Sequence, residues 1–172
     1  MKAEIPYDKA KAIADDLVTL LAPHCIRISI AGSIRRGKAI VGDVEIVAIP
    51  KPYQSGLFED GIASIVNQWT KVKGELEYGQ CKYTQRILPS GIKLDLFFAE
   101  PSNWGLILAI RTGSSEYSHK VLARAWVARG YHSIEGQLTN RGKVYEVREE
   151  QDLFDRLSIP YLEPKFRNSN NI

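Results

Sequence analysis

"AGSIRRGKAIVGDVEIVAIP", residues 31 to 50, sets two acids, Asp43 and Glu45, inside a segment that otherwise reads as a buried strand closed by Pro50-Lys51-Pro52. Strand side chains alternate faces, so both carboxylates project to one side while Val44 and Ile46 project to the other. Short acid-x-acid motifs match freely, and the plain reading is a solvated strand face. The sharper reading starts from repulsion: two carboxylates on one face favour a divalent cation between them, and Mg²⁺ prefers oxygen ligands. Asp95, the lone acid of IKLDLFF (residues 92 to 98), supplies a third carboxylate. A buried lone acid needs a partner, either Lys93 or an arginine on the plain reading, or a shared cation on the other. If the two strands are neighbours, three carboxylates converge.

The residues just before the acids favour the cation. Gly32-Ser33 closes a strand and opens a short helical turn; glycine admits a ligand close to the backbone, and the turn's N–H groups with the Ser33 hydroxyl suit phosphate oxygens. Arg35 and Arg36 follow, and a guanidinium binds phosphate in bidentate fashion. Anion donors and cation ligands thus bracket one short segment, with Gly42 between them. A nucleoside triphosphate with Mg²⁺, or Mn²⁺ in its place, satisfies both ends.

Outward from this segment, residues 7–22 place Ala10, Ile13, Ala14, Leu17, Leu20 and Leu21 at helical spacing before Pro23. CIRISIAG alternates as a strand. Residues 57–69 carry helical periodicity weakened by Gly61, and 75–101 read as two strands joined at Pro89-Ser90-Gly91. Ser102 is placed to cap a short helix, 103–111, which ends at the Thr112-Gly113-Ser114-Ser115 turn. A further helix, 116–130, stops at Gly130. A hairpin at Asn140-Arg141-Gly142, a helix over 149–157 and an Asn-rich tail complete the chain.

The whole composition is that of a folded globular protein: 172 residues, 44% hydrophobic and 25% charged, with 13 Gly and 8 Pro. A net charge of +3 is too mild to argue for nucleic acid unaided, so any basic surface is local. Cys25 and Cys81 form neither a disulfide framework nor a C-x-x-C spacing, which points to a reducing compartment. The charged N-terminus is no secretory leader, and no apolar run reaches the roughly 18 residues of a membrane span. The expectation is a cytoplasmic monomer that does not engage a membrane.

At this point the sequence resembles the nucleotidyltransferase superfamily, and more closely the family X DNA polymerases, the DNA polymerase beta group. Their pattern G-S-x-R-R-G-K, then G-D-V-[DE], is similar to Gly32, Ser33, Arg35, Arg36, Gly37, Lys38, Gly42, Asp43, Val44 and Glu45. Lys93-Leu94-Asp95-Leu96 resembles the strand of the third acid, Thr112-Gly113-Ser114 the sugar-pocket turn, and EPKFRN the closing E-P-x-x-R. The resemblance spans roughly residues 5 to 167. It implies an α+β fold: a nucleotidyltransferase-type palm with a mixed β-sheet and flanking helices over 1–111, and a small C-terminal α/β lobe over 112–172 that closes on the nucleotide. The form expected from the resemblance is one without the family's lyase and helix-hairpin-helix modules, as in minimal polymerases of some viruses and phages, where the location would be the host cytoplasm.

The activity implied is two-metal transfer of deoxynucleotides from dNTPs to a primer 3′-OH, suited to short gaps in DNA repair. By the resemblance, Asp43, Glu45 and Asp95 hold the metal ions; Gly32, Ser33, Arg36, Gly42, Arg111, Thr112 and Gly113 hold the nucleotide. Lys93, His119, Lys120 and Arg124 are placed to meet primer-template or gapped DNA; the plain alternative for the last three is a solvated helix face. Three departures stand out. Glu45 occupies a position that is usually Asp, and its extra methylene moves the carboxylate by about 1.5 Å. Ile110-Arg111 stand where aromatic residues are common, and Ser118 and Leu122 where polar or basic ones are. A template-independent transferase, an enzyme modifying RNA, protein or a small molecule, and a binding module with a decayed site remain the competing readings.

Overall fold

The computed structural model describes residues 3–52, 61–74, 76 and 82–171, and it divides into two compact units, Met1–Phe98 and Ala99–Ile172. The first contains β1 (Ile5–Pro6), α1 (Tyr7–Leu21), β2 (Cys25–Ile30), α2 (Gly32–Arg35), β3 (Ile40–Val41), β4 (Val44–Pro50), α3 (Ile62–Val66), β5 (Thr70–Lys73), β6 (Tyr83–Ile87) and β7 (Lys93–Phe98). Its five-stranded sheet runs β2-β4-β7-β6-β5, with β4 and β7 parallel and every other neighbour antiparallel. The fold is therefore α+β with a mixed sheet and flanking helices.

Periodicity explains which sheet face is covered. Ala10, Ala14, Leu17 and Leu21 recur at helical spacing and are buried in one cluster with Val44, Ile46, Ala48, Leu94 and Leu96, the alternate residues of the two central strands. Each of the larger side chains contributes roughly 1.5 to 3 kcal/mol by leaving water. The intervening residues, Glu45, Asp95 and their cross-strand neighbours, must then occupy the opposite face. Leu20, expected on the apolar side of α1, is 47% exposed because it lies at the edge of the stripe formed by Ala10, Ala14, Leu17 and Leu21. The hairpin expected at Pro89-Ser90-Gly91 forms: Gly91 takes a φ of +81° and donates its N–H to Leu88, whose own N–H meets Ile92.

The second unit holds α4 (Trp104–Thr112), α5 (Ser115–Tyr117), α6 (Arg124–Ala128), β8 (His132–Ile134), β9 (Gln137–Asn140), β10 (Lys143–Tyr145) and α7 (Glu150–Arg156). The three strands form an antiparallel meander. The turn at Arg141-Gly142 forms as expected, both residues having positive φ, and Glu135-Gly136 repeats the device between β8 and β9. Asn103, not Ser102, precedes α4. Its side chain accepts the Glu100 N–H at 2.7 Å and donates to the Gly136 carbonyl at 2.9 Å, tying the helix entry to the meander. The expected helix over 116–130 is broken in register by a π-turn at Ser118–Ala123 between α5 and α6. The expected lobe boundary at 111/112 and the division at 98/99 differ by the segment that carries α4. Residues 57–60 of the expected 57–69 helix, and residues 75 and 77–81 of the 75–101 strand reading, Cys81 among them, lie outside the described residues. Among the described residues, no helix is long and apolar enough to cross a membrane.

The second core is closed by a buried cation. Arg167 has no exposed surface; it pairs with Glu150, donates from Nε to the Leu162 carbonyl at 2.7 Å, and lies 5.1 Å from the Phe154 and Tyr161 ring centres. Breaking such a pair strands a buried carboxylate. Arg167→Met therefore lowers unfolding free energy by about 3 to 5 kcal/mol in urea titration, and adding Glu150→Gln recovers part of the loss.

Candidate active site

Pairing of β4 with β7 sets Glu45 directly beside Asp95, and pairing of β7 with β6 sets Asp95 directly opposite Gln85. Glu45, Asp95 and Gln85 thus form one row across the sheet, on the face away from α1. Asp43 lies one residue before β4, in the bend that leads into it and not in the strand, yet its charge reaches Glu45. Burial, then Asp43, then Asp95 push the Glu45 carboxyl up to about 7, while Arg36 and the Ser33 N–H act in the opposite direction. Burial lowers the Arg36 guanidinium from its ordinary value, and the charge of Glu45 resists that.

The glycine-serine turn is built around this acid. Gly32 opens α2 with a φ of +59°, and a Cβ there would overlap the Glu45 carboxylate. Only glycine combines the left-handed backbone with that close approach. Ser33 donates its N–H to Glu45, so the carboxylate rests on the same turn that the sequence assigns to phosphate. Gly42 precedes Asp43 and is half-buried, as are Ser33 and Arg36.

Asp95 has a different set of partners from those expected. Lys93, two residues earlier on the same face, is exposed and forms no ion pair with it; instead Asp95 Oδ1 accepts two hydrogen bonds of 2.7 Å, from the Tyr83 hydroxyl and from Gln85 Nε2. Neither residue was legible as a site residue, although the hairpin register set by Leu88 and Ile92 points Gln85 at Asp95. Among the described residues no three His, Cys, Asp or Glu side chains are already gathered as a metal-binding cluster, because Glu45 leans on the Ser33 turn and Asp95 on β6. The donor set nonetheless suits a hard cation. It consists of carboxylate oxygens whose mutual repulsion already raises one of them, and a divalent ion would relieve that repulsion.

The remaining expected residues belong to the second unit. Thr112 and Gly113 are buried at the end of α4, and Arg111 is exposed. A Cβ on Gly113 would come within 2.7 Å of Ser118 Oγ and of the Tyr117 ring, so its absence of side chain lets the next helical segment start against the turn. Ser118 Oγ donates to the Ile110 carbonyl at 2.9 Å, and the Ser114 hydroxyl accepts the Tyr117 N–H at 3.1 Å. His119, Lys120 and Arg124 are all exposed, with Lys120 paired to Glu116 one helical turn back.

Residues 107–168 match the family model for the DNA polymerase beta thumb. The match covers roughly a third of the chain, lies entirely within the second unit, and takes in Arg111, Thr112, Gly113, His119, Lys120 and Arg124. It supports a relationship to the family X DNA polymerases. Curated proteins yielded no match.

Two consequences are measurable in metal-free buffer. The Glu45 carboxyl binds its proton more tightly folded than unfolded, where its ordinary value is 4.5. The stability it contributes is therefore present below pH 4.5 and lost as pH rises through about 7. Glu45→Gln, neutral throughout, is more stable than the parent at pH 8 by about 1 to 3 kcal/mol in denaturant titrations, a gap that closes towards pH 5. Gly32→Ala costs about 1 to 2 kcal/mol of backbone strain plus displacement of Glu45, whereas Gly37→Ala, with φ +69° and open space around it, costs the backbone part alone.

Proposed function

We propose that the chain is a divalent-metal-dependent nucleotidyltransferase of the family X polymerase type, adding deoxynucleotides to a DNA primer. The observation that carries this reading is the row Glu45–Asp95 beside the Gly32–Arg36 turn: acids for a cation and donors for a triphosphate on one sheet face. The thumb match adds support for DNA as the acceptor and for a polymerase over other transferases.

When bound, Mg²⁺ would neutralise triphosphate charge and make the primer hydroxyl easier to deprotonate. Asp43, Glu45 and Asp95 would hold the ion or ions. A triphosphate oxygen would take the Ser33 N–H that Glu45 now accepts, which would leave the Glu45 carboxylate available to help hold the cation. Arg36, alongside, offers bidentate donors to the phosphates, and the backbone at Gly42 borders them. The primer 3′-oxygen attacks the α-phosphorus, the bond to the β-phosphate oxygen breaks, pyrophosphate leaves, and Asp95 accepts the hydroxyl proton. Fixed charge supplies the catalysis, with no covalent enzyme intermediate. In the second unit Arg111, Thr112 and Gly113 contact the nucleotide, and His119, Lys120 and Arg124 contact DNA phosphate. Lys93, exposed at the start of β7, is the first unit's DNA contact. The mild net charge of +3 suits short gaps such as those of repair.

The test supplies each dNTP and rNTP, with Mg²⁺ or Mn²⁺, to gapped DNA, a primer-template and an unpaired primer. Incorporation that follows the template base, preferring dNTPs and falling at least about 100-fold in Asp95→Asn, is the expected result. Extension regardless of template would instead identify a terminal transferase. No transfer, with DNA binding untouched by Asp95→Asn, would leave a binding module.

A further inference from the structure

The partners of Asp95 lie on the neighbouring strand, and their geometry is specific. Both donors address one oxygen, Oδ1, each at 2.7 Å, and Gln85 Nε2 also reaches the Tyr83 hydroxyl at 3.1 Å, closing a three-membered network. Tyr83 has its ring stacked on Phe97, with centroids 4.9 Å apart and planes 23° from parallel, so its hydroxyl is aimed by packing as well as by hydrogen bonding. Gln85 is aimed by register, since it stands directly across from Asp95. With Oδ1 taking both bonds, the carboxylate cannot rotate about its own axis without breaking them, and Oδ2 receives no donor among the described residues.

We propose that Tyr83 and Gln85 are positioning residues that lock the Asp95 carboxylate so that Oδ2 alone is presented, in fixed orientation, to a divalent cation. The inference rests on Asp95 being a metal-holding acid, and extends that reading to two residues on β6 that touch neither cation nor nucleotide. Acting through hydrogen bonds to a ligand, they orient it before the ion arrives. The Tyr83–Phe97 stack makes Tyr83→Phe a mild change that removes only the hydroxyl. Gln85→Met nearly keeps the size of the side chain and deletes the donor to Asp95.

Titration of the full chain with Mn²⁺, followed by loss of the free-ion paramagnetic resonance signal, separates positioning from packing. Asp95→Asn serves as the reference for loss of the ligand, and thermal midpoints are read in parallel. The expected result is Mn²⁺ affinity about 10-fold weaker in Tyr83→Phe and in Gln85→Met, with midpoints close to the parent. Parent-like Mn²⁺ affinity in Tyr83→Phe and Gln85→Met would overturn the proposal, as would parent affinity no stronger than that of Asp95→Asn. Nucleotide transfer is scored separately. A parent that binds Mn²⁺ in the expected pattern but transfers to no acceptor refutes the polymerase reading and leaves the positioning role standing.

Discussion

The parallel pairing of β4 with β7 is the constraint on which the rest depends. It joins two strands far apart in sequence so that Ile46 meets Leu96 on one face while Glu45 meets Asp95 on the other. The apolar face is filled by α1 and excludes water; the acidic face therefore gathers like charges at a distance where each feels the other. The same register that builds the core builds the electrostatic problem, and a one-residue slip would move the acids into the core. A sheet that holds carboxylates together against their repulsion carries free energy that a cation can release. That coupling links the packing of α1 to the proposed chemistry.

The turn between β2 and β4 meets the same constraint from the other side. Gly32 lets the backbone approach Glu45 so closely that a methyl group has no room, and Ser33 gives the acid an N–H to rest on. Arg36 adds a cation, itself disfavoured by burial and supported by Glu45. These groups satisfy one another in the absence of substrate, and each is of the kind a nucleotide or a divalent ion would claim. The glutamate in place of the shorter aspartate fits this arrangement, because its reach serves the turn as well as the row.

Much of this was legible in the residues themselves. The acid-x-acid pair, the lone Asp95 within IKLDLFF and the Gly32-Ser33-x-Arg35-Arg36 order named the first-unit elements, and Pro89-Ser90-Gly91 named the hairpin, because these signals are local. What escaped was set by pairing and tertiary contact. That β4 lies beside β7, and in which register, is a long-range outcome no window of sequence contains. Tyr83 and Gln85 sit in YTQRI, which alternates like any half-buried strand, and only the hairpin arithmetic from Leu88 opposite Ile92 sets Gln85 against Asp95. Ser102 looked like a cap, but Asn103 found partners on two sides. The helix after Gly113 read as regular, since periodicity does not reveal a π-turn at Ser118–Ala123.

Asp43, Glu45 and Asp95 are proposed to share a divalent cation next to a nucleotide held at Gly32–Arg36. The direct measurement is anomalous diffraction from crystals grown with Mn²⁺ and a non-hydrolysable dNTP analogue. The expected result is a manganese peak within coordination distance of Glu45 and Asp95, with the triphosphate on the Ser33 N–H and Glu45 turned away from it. A nucleotide bound elsewhere, or a triphosphate at the turn with no metal at the acids, would contradict it.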